Sequence, residues 1–378
     1  MLVVLTGEMK KKDPMKILQV ITSLSTGGAE KLISEIAPML RDKGHQVDVL
    51  AFDGADTAFK KALTDKGIKV YSFGKGCNVY NPLFIFRLAK LMKNYDIVHT
   101  HNTAPQLFAA IGSVLCSVVL CTTEHTTSNR RRDWKWYAWI DKWMYSRYRK
   151  VICISDSTEQ NLRDFIKDGS NKISTILNGI DVKRYSQAVP IDKSTITNHP
   201  ERKVIAMVAG FRYQKDQETL IRAFNNLPVE YELWLIGDGE RRSIIEQCIK
   251  DNKLEDRVLL LGIRSDIPSI LKSVDVVVQS SHWEGFGLAA VEGMAAGKPV
   301  IASDVDGLAQ VVEGAGILFP LGDDKKLADI IKQLIEEQTY YQQVAARCWE
   351  RAQMFDIHKM VDAYNEVYMD FVSPKHNS

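Results

Sequence analysis

Two glutamates, Glu284 and Glu292, stand eight positions apart in the stretch HWEGFGLAAVEGMAAGKPVIASD, residues 282–304. The apolar run VDVVVQS ends just before them, and glycines surround the first. Because ligands of parallel sheets bind where a strand ends and a loop leads into a helix N-terminus, this bend predicts an anion site. A helix rises by a fixed step per residue, so the second carboxylate lies about 12 Å further along. The two carboxylates could then bracket a diphosphate and accept hydrogen bonds from sugar hydroxyls on both sides.

The spacing therefore predicts a nucleotide-sugar site, with one carboxylate at the sugar and the other at the ribose. The alternative is a capped surface helix. In that case Glu284 would favour the helix N-terminus through the helix dipole, and Glu292 would be solvated. One pair of glutamates does not decide between these interpretations, so the elements that position the pair have to be considered.

Strands and helices alternate along the chain from Met15 onward. Short β-branched runs such as KILQVIT and QVDVLAF alternate with amphipathic helices that end in glycine, which is typical of parallel βα units. A second series begins after residue 202, and the polar stretch SQAVPIDKSTITNHPERK separates the two series. We predict two doubly wound, Rossmann-like α/β domains that face a central cleft, residues 15–185 and 202–352. Residues 353–374 are predicted to form a C-terminal helix that packs back on the first domain.

Composition and charge exclude several classes of protein. A hydrophobic share of 45% with a charged share of 25% is that of a globular chain, so neither disorder nor a fibrous repeat is indicated. The net charge of +2 argues against nucleic acid as a partner. Six scattered cysteines lack the spacing of a metal site and predict reduced thiols in the cytoplasm. The apolar run at residues 107–121 is shorter than the roughly 20 residues of a membrane span. The first apolar patch is too short for a signal peptide, and Met15 is a candidate start.

The stretch SSHWEGFGLAAVEGMAAGKPVIAS resembles the E-x7-E motif of retaining glycosyltransferases of family four, the group 1 glycosyltransferases with the GT-B fold. The resemblance covers nearly the whole chain. It extends to further short motifs, which are TGGAEK at 26–31, HTHN at 99–102, TEHT at 123–126, LNGID at 177–181, QKDQETLIRAF at 214–224, LIGDGERR at 235–242 and LGIRSDI at 261–267. It implies the GT-B fold and transfer of a sugar from a nucleotide-sugar donor.

The resemblance also implies roles for individual residues. Glu292 would bind the ribose hydroxyls of the donor, and Glu284 would contact the transferred sugar. The remaining donor-binding set comprises the backbone of Gly285, Phe286, Gly287 and Leu288 for sugar and diphosphate, Gly27 and Gly28 from the other domain, Gly237, and Ile263 and Arg264 near the base.

The chain departs from the family pattern at two places. The family arginine lies five residues before the lysine, where this chain has Gly210; Arg212 stands three residues before Lys215 instead. We assign Arg212 and Lys215 to the leaving diphosphate, because negative charge develops on its oxygen as the glycosidic bond breaks. In DVDGLAQVV, Asp306 replaces a glycine of the family pattern and Gln310 replaces a glutamate. The resemblance therefore does not identify which sugar the donor carries.

Three histidines lie at or near strand ends. His125 resembles the family histidine that touches the donor sugar, and His101 with Asn102 is expected on the acceptor side; a purely structural histidine is the alternative. We expect His99 to point the other way, since strand residues alternate faces. As a hypothesis, the reaction is transfer with retention: the acceptor hydroxyl attacks on the face that the phosphate leaves, and the leaving phosphate takes the proton. No double-displacement pair of carboxylates is then required. We predict no metal and no cofactor, and interpret DVD at 304–306 as turn chemistry.

The segment at residues 130–150 is rich in arginine and lysine, with Trp134, Trp136, Trp139 and Trp143 interleaved. One interpretation is an amphipathic helix lying on an anionic membrane, with a peripheral location on the inner face of the cell membrane. The other is a core helix that packs Trp136, Ile140 and Trp143 inward. Both remain open, and membrane contact would favour a lipid-linked acceptor.

The predicted function is transfer of a hexose or N-acetylhexosamine from a UDP-linked donor to a glycan or lipid-linked glycan in surface polysaccharide biosynthesis. Two alternatives remain. The first is a catalytically silent binding subunit of the same fold, and the second is a hydrolase or epimerase that acts on the nucleotide sugar.

Overall fold

The computed structural model describes residues 14–25, 27–126, 135–167 and 171–372, which form two parallel sheets. The first sheet has the order β3-β2-β1-β4-β5-β6-β7 and the second the order β10-β9-β8-β11-β12-β13. The strands are β1 (Lys16–Ile21), β2 (Gln46–Asp53), β3 (Lys69–Gly74), β4 (Ile97–His101), β5 (Val119–Glu124), β6 (Lys150–Cys153), β7 (Ile173–Thr175), β8 (Lys203–Val208), β9 (Tyr231–Ile236), β10 (Val258–Gly262), β11 (Val276–Gln279), β12 (Val300–Ser303) and β13 (Ile317–Phe319).

Helices connect the strands and cover both faces of each sheet. They are α1 (Gly28–Asp42), α2 (Ala58–Asp65), α3 (Leu83–Met92), α4 (Thr103–Gly112), α5 (Lys135–Ser146), α6 (Asp156–Ile166), α7 (Val182–Ser186), α8 (Gln217–Ala223), α9 (Arg242–Asp251), α10 (Ile267–Ser273), α11 (Leu288–Ala295), α12 (Asp306–Val312), α13 (Asp324–Glu336), α14 (Gln338–Ala352) and α15 (Ile357–Val372). Strands that helices cover on both faces are fully buried, and they are therefore apolar almost throughout, as in the run VVVQ of β11. The predicted pair of Rossmann-like domains is confirmed.

Each sheet reverses its strand order once. In the first sheet the reversal lies between β1 and β4, and in the second between β8 and β11. A crevice opens at such a switch point, outside the carboxyl ends of the strands, because the connections on either side leave in opposite directions. The loops β1–α1, β8–α8 and β11–α11 all start at these two points, and they carry the glycine, lysine and glutamate motifs.

The C-terminal helix α15 returns to the first domain, as expected. Its buried residues Val361, Tyr364 and Tyr368 share one core with Ile17 of β1 and Leu32 of α1. The crossing is fixed by backbone hydrogen bonds: Ile180 N–H donates to Phe355 at 2.9 Å, and Ile357 N–H donates to Ile180 at 2.8 Å. The first domain is therefore closed by the end of the chain.

The connection between the domains is shared by both cores. Ile180, Val182 and Tyr185 pack into the core of the second domain, ahead of the polar stretch that the sequence suggested as the linker. The boundaries 15–185, 202–352 and 353–374 remain predictions.

Helix α5 presents a different face to the core from the one expected. Asp141, Met144, Tyr145 and Tyr148 are buried, whereas Trp139 is 74% exposed and Trp143 is 36% exposed. The interpretation in which Trp143 packs inward is therefore not observed: the buried positions within α5 are 141, 144 and 145, and Tyr148 follows the end of the helix. Ile140 is half-buried. Residues 130–134 and the side chain of Trp136 lie outside the described part of the chain. No helix of the described residues is long and apolar enough to cross a membrane.

Candidate functional site

The loop between β11 and α11 is held against the first domain by its glycines. A β-carbon at Gly285 would lie 2.7 Å from the backbone oxygen of His125, so only glycine allows this approach. Gly287 forms the N-cap of α11 with a φ of +87°, a left-handed backbone conformation that favours glycine because it has no β-carbon. Phe286 is buried, and its ring meets that of Phe355 edge-on at 5.3 Å. The contact brings Glu284 and His125 to the same point of the cleft.

Glu284 is paired with a cation from the neighbouring loop. Lys215, at the end of a 3₁₀ turn after β8, donates from Nζ to Oε1 of Glu284, and Ser281 Oγ lies 3.4 Å from the same oxygen. Both side chains of the pair are largely buried. A carboxylate and an ammonium group, both from strand-end loops, therefore meet at the carboxyl edge of the second sheet.

Arg212 lies close to Gly210, the position at which the family pattern has its arginine. A β-carbon at residue 210 would be 3.8 Å from Arg212 Nε, so the arginine side chain passes over the glycine. The positive charge of Arg212 also acts on Glu30 at the start of α1. Burial raises the pKa of Glu30, and a backbone hydrogen bond and then Arg212 oppose that rise. Arg212 is therefore in the cleft, facing the first domain.

Glu292 forms an ion pair with Lys31, which comes from the other domain. Glu292 is 5% exposed, and Lys31 donates from Nζ both to Glu292 Oε1 and, at 3.0 Å, to the hydroxyl of Tyr185. Burial lowers the pKa of Lys31, but the charge of Glu292, followed by Tyr185 and Glu35, outweighs burial and raises it. Glu292 is therefore not the solvated surface residue of the alternative interpretation.

Lys31 and Tyr185 were missed by the sequence analysis as site residues. Lys31 ends the motif TGGAEK, so its position beside the glycines was a usable signal. Tyr185 had no such signal, because it lies in a short helix outside every motif.

The N-termini of α1 and α11 face each other across the cleft. A β-carbon at Gly28 would lie 3.6 Å from Leu288 Cδ1. Gly27 is the N-cap of α1 and makes no side-chain cap; the carboxylate of Glu30 folds back over it. Because helix N-termini carry unpaired N–H groups and partial positive charge, two that converge form a place for an anion such as a diphosphate.

The other donor-binding candidates lie at the carboxyl end of the second sheet. Gly237 follows β9 with a φ of +143° and packs against the backbone oxygen of Ala209. Ile263 follows β10 and is 71% exposed, while Arg264 pairs with Asp266 at 2.6 Å. An exposed apolar side chain beside a charged one could receive the face and edge of a base.

A buried hydrogen-bond chain runs from His125 to the C-terminal helix. His125 Nε2 lies 2.9 Å from His101 Nδ1, and His101 Nε2 lies 2.8 Å from Gln19 Oε1. Gln19 Nε2 in turn donates to the hydroxyl of Tyr368 at 3.1 Å. With the amide of Gln19 in this orientation, the carboxamide oxygen accepts from His101, and His101 Nδ1 accepts from His125. Nδ1 of His125 is then an unprotonated acceptor.

His99 belongs to the same network. Its Nδ1 contacts the hydroxyl of Tyr368, its Nε2 lies 2.8 Å from Thr123 Oγ1, and its ring stacks on that of His101 with centroids 4.5 Å apart. The prediction that His99 points away from His101 is wrong, because residues two apart in a strand share a face. Asn102 follows as the N-cap of α4 with a φ of +66°.

Burial keeps the three imidazoles neutral. Burial, and next the charge of His125, lowers the pKa of His99 to about 3, and burial lowers the pKa of His125 to about 4. The pKa of His101 is also well below its usual value, mainly through burial. These groups therefore act as neutral hydrogen-bonding groups at physiological pH.

Gln310, one of the two departures from the family pattern, has a partner in the first domain. Its Nε2 donates to Asp156 Oδ2 at 3.1 Å, and its Oε1 accepts from the backbone N–H of Asp156 at 3.2 Å. A glutamate here would face the carboxylate of Asp156, which explains the neutral amide. Asp306 lies in the first turn of α12, and no group of three metal-ligating side chains that could hold an ion occurs among the described residues.

Comparison with known proteins identifies the class. The structure of Anabaena HepE in complex with UDP and glucose is similar to this chain, with a TM-score of 0.84 and 26% identity over 94% of this chain and 100% of that one. WaaG, described as a glycosyltransferase involved in lipopolysaccharide biosynthesis, shares the fold with a TM-score of 0.72, 14% identity, and coverage of 93% and 99%. Together with the cleft between two facing Rossmann-like domains, these structures define the GT-B fold.

The family follows from the sequence models. Residues 26–184 match Glycosyltransferase Family 4 and residues 191–353 match Glycosyl transferases group 1. The chain belongs to this family of glycosyltransferases.

Two curated relatives are similar along most of their length. One is the UDP-Gal:alpha-D-GlcNAc-diphosphoundecaprenol alpha-1,3-galactosyltransferase of Escherichia coli, 28% identical over 77% of this chain and 80% of its own. The other is the N-acetyl-alpha-D-glucosaminyl L-malate synthase of Bacillus anthracis, 26% identical over 93% and 96%.

The neutral histidines predict a pH dependence of stability. The unfolded chain gains a proton on His99 below a pH of about 6.5, whereas the folded protein resists protonation until its much lower pKa. The stability from this residue is present above pH 6.5 and is lost as the pH falls towards its folded-state pKa. In His99→Gln we expect the free energy of unfolding, measured by denaturant titration, to fall less steeply across this window, by about 1.4 kcal/mol per pH unit. His199→Asn, at an exposed position, is the control; an unchanged slope in His99→Gln would contradict the prediction.

Proposed function

We propose that the protein is a retaining glycosyltransferase that moves a hexose or N-acetylhexosamine from a UDP-linked donor to a glycan or lipid-linked glycan in surface polysaccharide biosynthesis. The observation that carries this proposal is the convergence of two helix N-termini, Arg212 and the ion pairs of Glu284 and Glu292 in one cleft. The structure of HepE with UDP-glucose, 28% identical over 94% of this chain, supports a UDP-linked donor.

The donor would lie across the cleft with its diphosphate between the helix N-termini. Arg212 and Lys215 would bind the phosphate oxygens, Glu284 the transferred sugar, and Glu292 the ribose. The base would contact Ile263 and Arg264. Lys215 already holds Glu284, so one ammonium group would connect the sugar-binding carboxylate to the leaving phosphate and stabilise the charge that develops there.

The neutral His125 would complete the sugar site. Its Nε2 is engaged by His101, and its Nδ1 can accept a hydrogen bond from a hydroxyl of the donor sugar. The pairing of Glu284 with Lys215 makes this carboxylate a poor nucleophile, which favours attack of the acceptor on the face that the phosphate leaves. The leaving phosphate would take the proton, and the two cations would replace a metal ion.

The acceptor is suggested by the exposed face of α5. Trp139 and Trp143 project from this helix, and Lys142, Arg147 and Arg149 are exposed around them. Such a face fits the headgroup layer of an anionic membrane. The name of the Escherichia coli relative includes a diphosphoundecaprenol-linked sugar, whereas that of the Bacillus anthracis relative includes malate. We propose a lipid-linked acceptor on the inner face of the cell membrane, with Asn102 on the acceptor side. His101 is fully buried with both ring nitrogens engaged, so it would act there only through His125.

Donor binding can be measured by thermal shift of the purified protein against UDP, GDP, ADP and their sugars. We expect stabilisation by UDP and by one UDP-sugar, and loss of that shift in Glu292→Ala, because the ribose hydroxyls lose their acceptor. Incubating the donor with and without a lipid-linked acceptor distinguishes transfer from hydrolysis or epimerisation. A protein that binds no nucleotide would favour the silent binding subunit.

Lys215→Ala tests the stabilisation of the leaving phosphate. We expect kcat to fall by about a hundredfold or more, with a smaller change in KM for the donor, because the developing charge loses its cation. UDP release under saturating donor is the measurement. Lys332→Ala, on the exposed face of α13, is the matched control. Equal activity of Lys215→Ala and wild type would refute the role.

Membrane contact is tested by flotation with phosphatidylglycerol vesicles and with neutral phosphatidylcholine vesicles. We expect binding to the anionic vesicles only, and its loss after Arg130, Arg131 and Arg132 are replaced by serine, since each cation near the surface contributes about 1 kcal/mol. Trp139→Ser should weaken binding by removing the apolar insertion. Trp349→Ser, at a partly exposed position on α14, is the control. Unchanged binding of the triple variant would contradict membrane contact through this segment.

A further inference from the structure

The carboxylate of Glu292 is held by the domain that does not contain it. Glu292 lies on α11 of the second domain, and its partner Lys31 lies on α1 of the first, 261 positions away in the chain. Tyr185 completes the group through its hydroxyl, 3.0 Å from Lys31 Nζ. Burial, and next the charge of Glu292, raises the pKa of Tyr185, so the hydroxyl stays protonated.

The ion pair with Lys31 uses only part of the hydrogen-bonding capacity of the Glu292 carboxylate. The ion pair uses Oε1, and an ionised carboxylate offers about four lone-pair directions on its two oxygens. The hydroxyl of Tyr185 also hydrogen-bonds to Glu292, and the two carboxylate oxygens together still offer lone-pair directions for further donors. A ribose can bring two hydroxyls to this group without displacing the ammonium.

The ion pair also offsets the cost of burying the carboxylate of Glu292, which is 5% exposed. A buried carboxylate without a partner is costly, so it tends to move towards water. Glu35 lies near the same ammonium, and burial raises its pKa while Lys31 opposes the rise. Without Lys31 this corner of the cleft would hold the carboxylates of Glu292 and Glu35, with Arg184, 3.9 Å from Glu35, as the remaining cation.

We propose that Lys31 is a positioning residue for the donor: it reaches across the cleft, pairs with Glu292 and orients the carboxylate of Glu292 towards the ribose hydroxyls. This inference rests on the proposed function, because it assumes that Glu292 accepts hydrogen bonds from the ribose hydroxyls of a nucleotide. With this role, Lys31 gives the first domain a part in donor recognition. The ribose subsite then needs both Lys31 on α1 and Glu292 on α11, so it is complete only when these two helices face each other.

The opposite possibility is competition. Lys31 could occupy Glu292 only while the cleft is empty, in which case a ribose would have to displace it. The two possibilities differ in sign, since removal of a positioning residue weakens nucleotide binding and removal of a competitor tightens it.

The test compares UDP with 2′,3′-dideoxyuridine diphosphate, which lacks both ribose hydroxyls, by isothermal titration calorimetry on the full chain. The variants are Lys31→Met, Lys31→Arg, Glu292→Gln and the double variant Lys31→Met/Glu292→Gln. Lys43→Met is the matched control, because Lys43 follows the other end of α1 and pairs with the exposed Asp362.

We expect Lys31→Met to raise the Kd of UDP by about tenfold and to leave the Kd of the dideoxy compound unchanged. The unchanged dideoxy affinity also shows that the variant is folded. In the Glu292→Gln background the further change to Met should have little effect, because the two residues act through one contact. Lys31→Arg should restore most of the affinity, and Lys43→Met should bind like wild type.

Three results would overturn the inference while leaving nucleotide binding intact. They are equal weakening of both nucleotides in Lys31→Met, tighter UDP binding in that variant, and equal affinity of the wild type for UDP and the dideoxy compound. Binding of neither nucleotide by the wild type would instead refute the proposed function, and with it this inference.

Discussion

The convergence of two helix N-termini is the constraint on which the site depends. α1 and α11 belong to different domains, and both begin at glycine-rich bends that leave backbone N–H groups unpaired and positive potential at their ends. Bringing two such ends together without an anion is unfavourable. The carboxylate of Glu30 moderates this by folding over the start of α1. Lys215 and Lys31 pair with the nearby carboxylates of Glu284 and Glu292.

Because these charges are paired within the cleft, a donor would enter an organised polar site. The carboxylates are oriented by their ion pairs, and the cations would lie beside the proposed positions of sugar and phosphate. Preorganised charges of this kind stabilise a developing charge without rearranging during the reaction. Both domains contribute to this site: Lys31 of the first domain pairs with Glu292 of the second, and His125 of the first packs against Gly285 of the second.

The C-terminal helix supports the other side of the cleft. The hydroxyl of Tyr368 contacts His99 of β4, the hydroxyl of Tyr364 contacts Thr123 of β5, and Gln19 links Tyr368 to the His101–His125 pair. Each polar atom in such a buried network needs its partner, because an unpaired one would pay the full cost of desolvation. The return of α15 to the first domain thus has a role besides covering the apolar face of the sheet: it orients the histidines that line the cleft.

Much of this organisation could be predicted from the sequence, because it depends on neighbours along the chain. β-Branched runs that alternate with amphipathic helices determine parallel βα units, and the motifs at strand ends place Glu284, Lys215 and His125 at the carboxyl edges. Properties that depend on packing could not be read in the same way. The inward stripe of α5 is set by its neighbours, so Trp143 faces out. The stacking of His99 on His101 follows from strand geometry and could have been foreseen. The pairing of Lys31 with Glu292 could not, because no local pattern specifies which side chain of one domain meets a carboxylate of the other; only the docking of the two folded domains decides it.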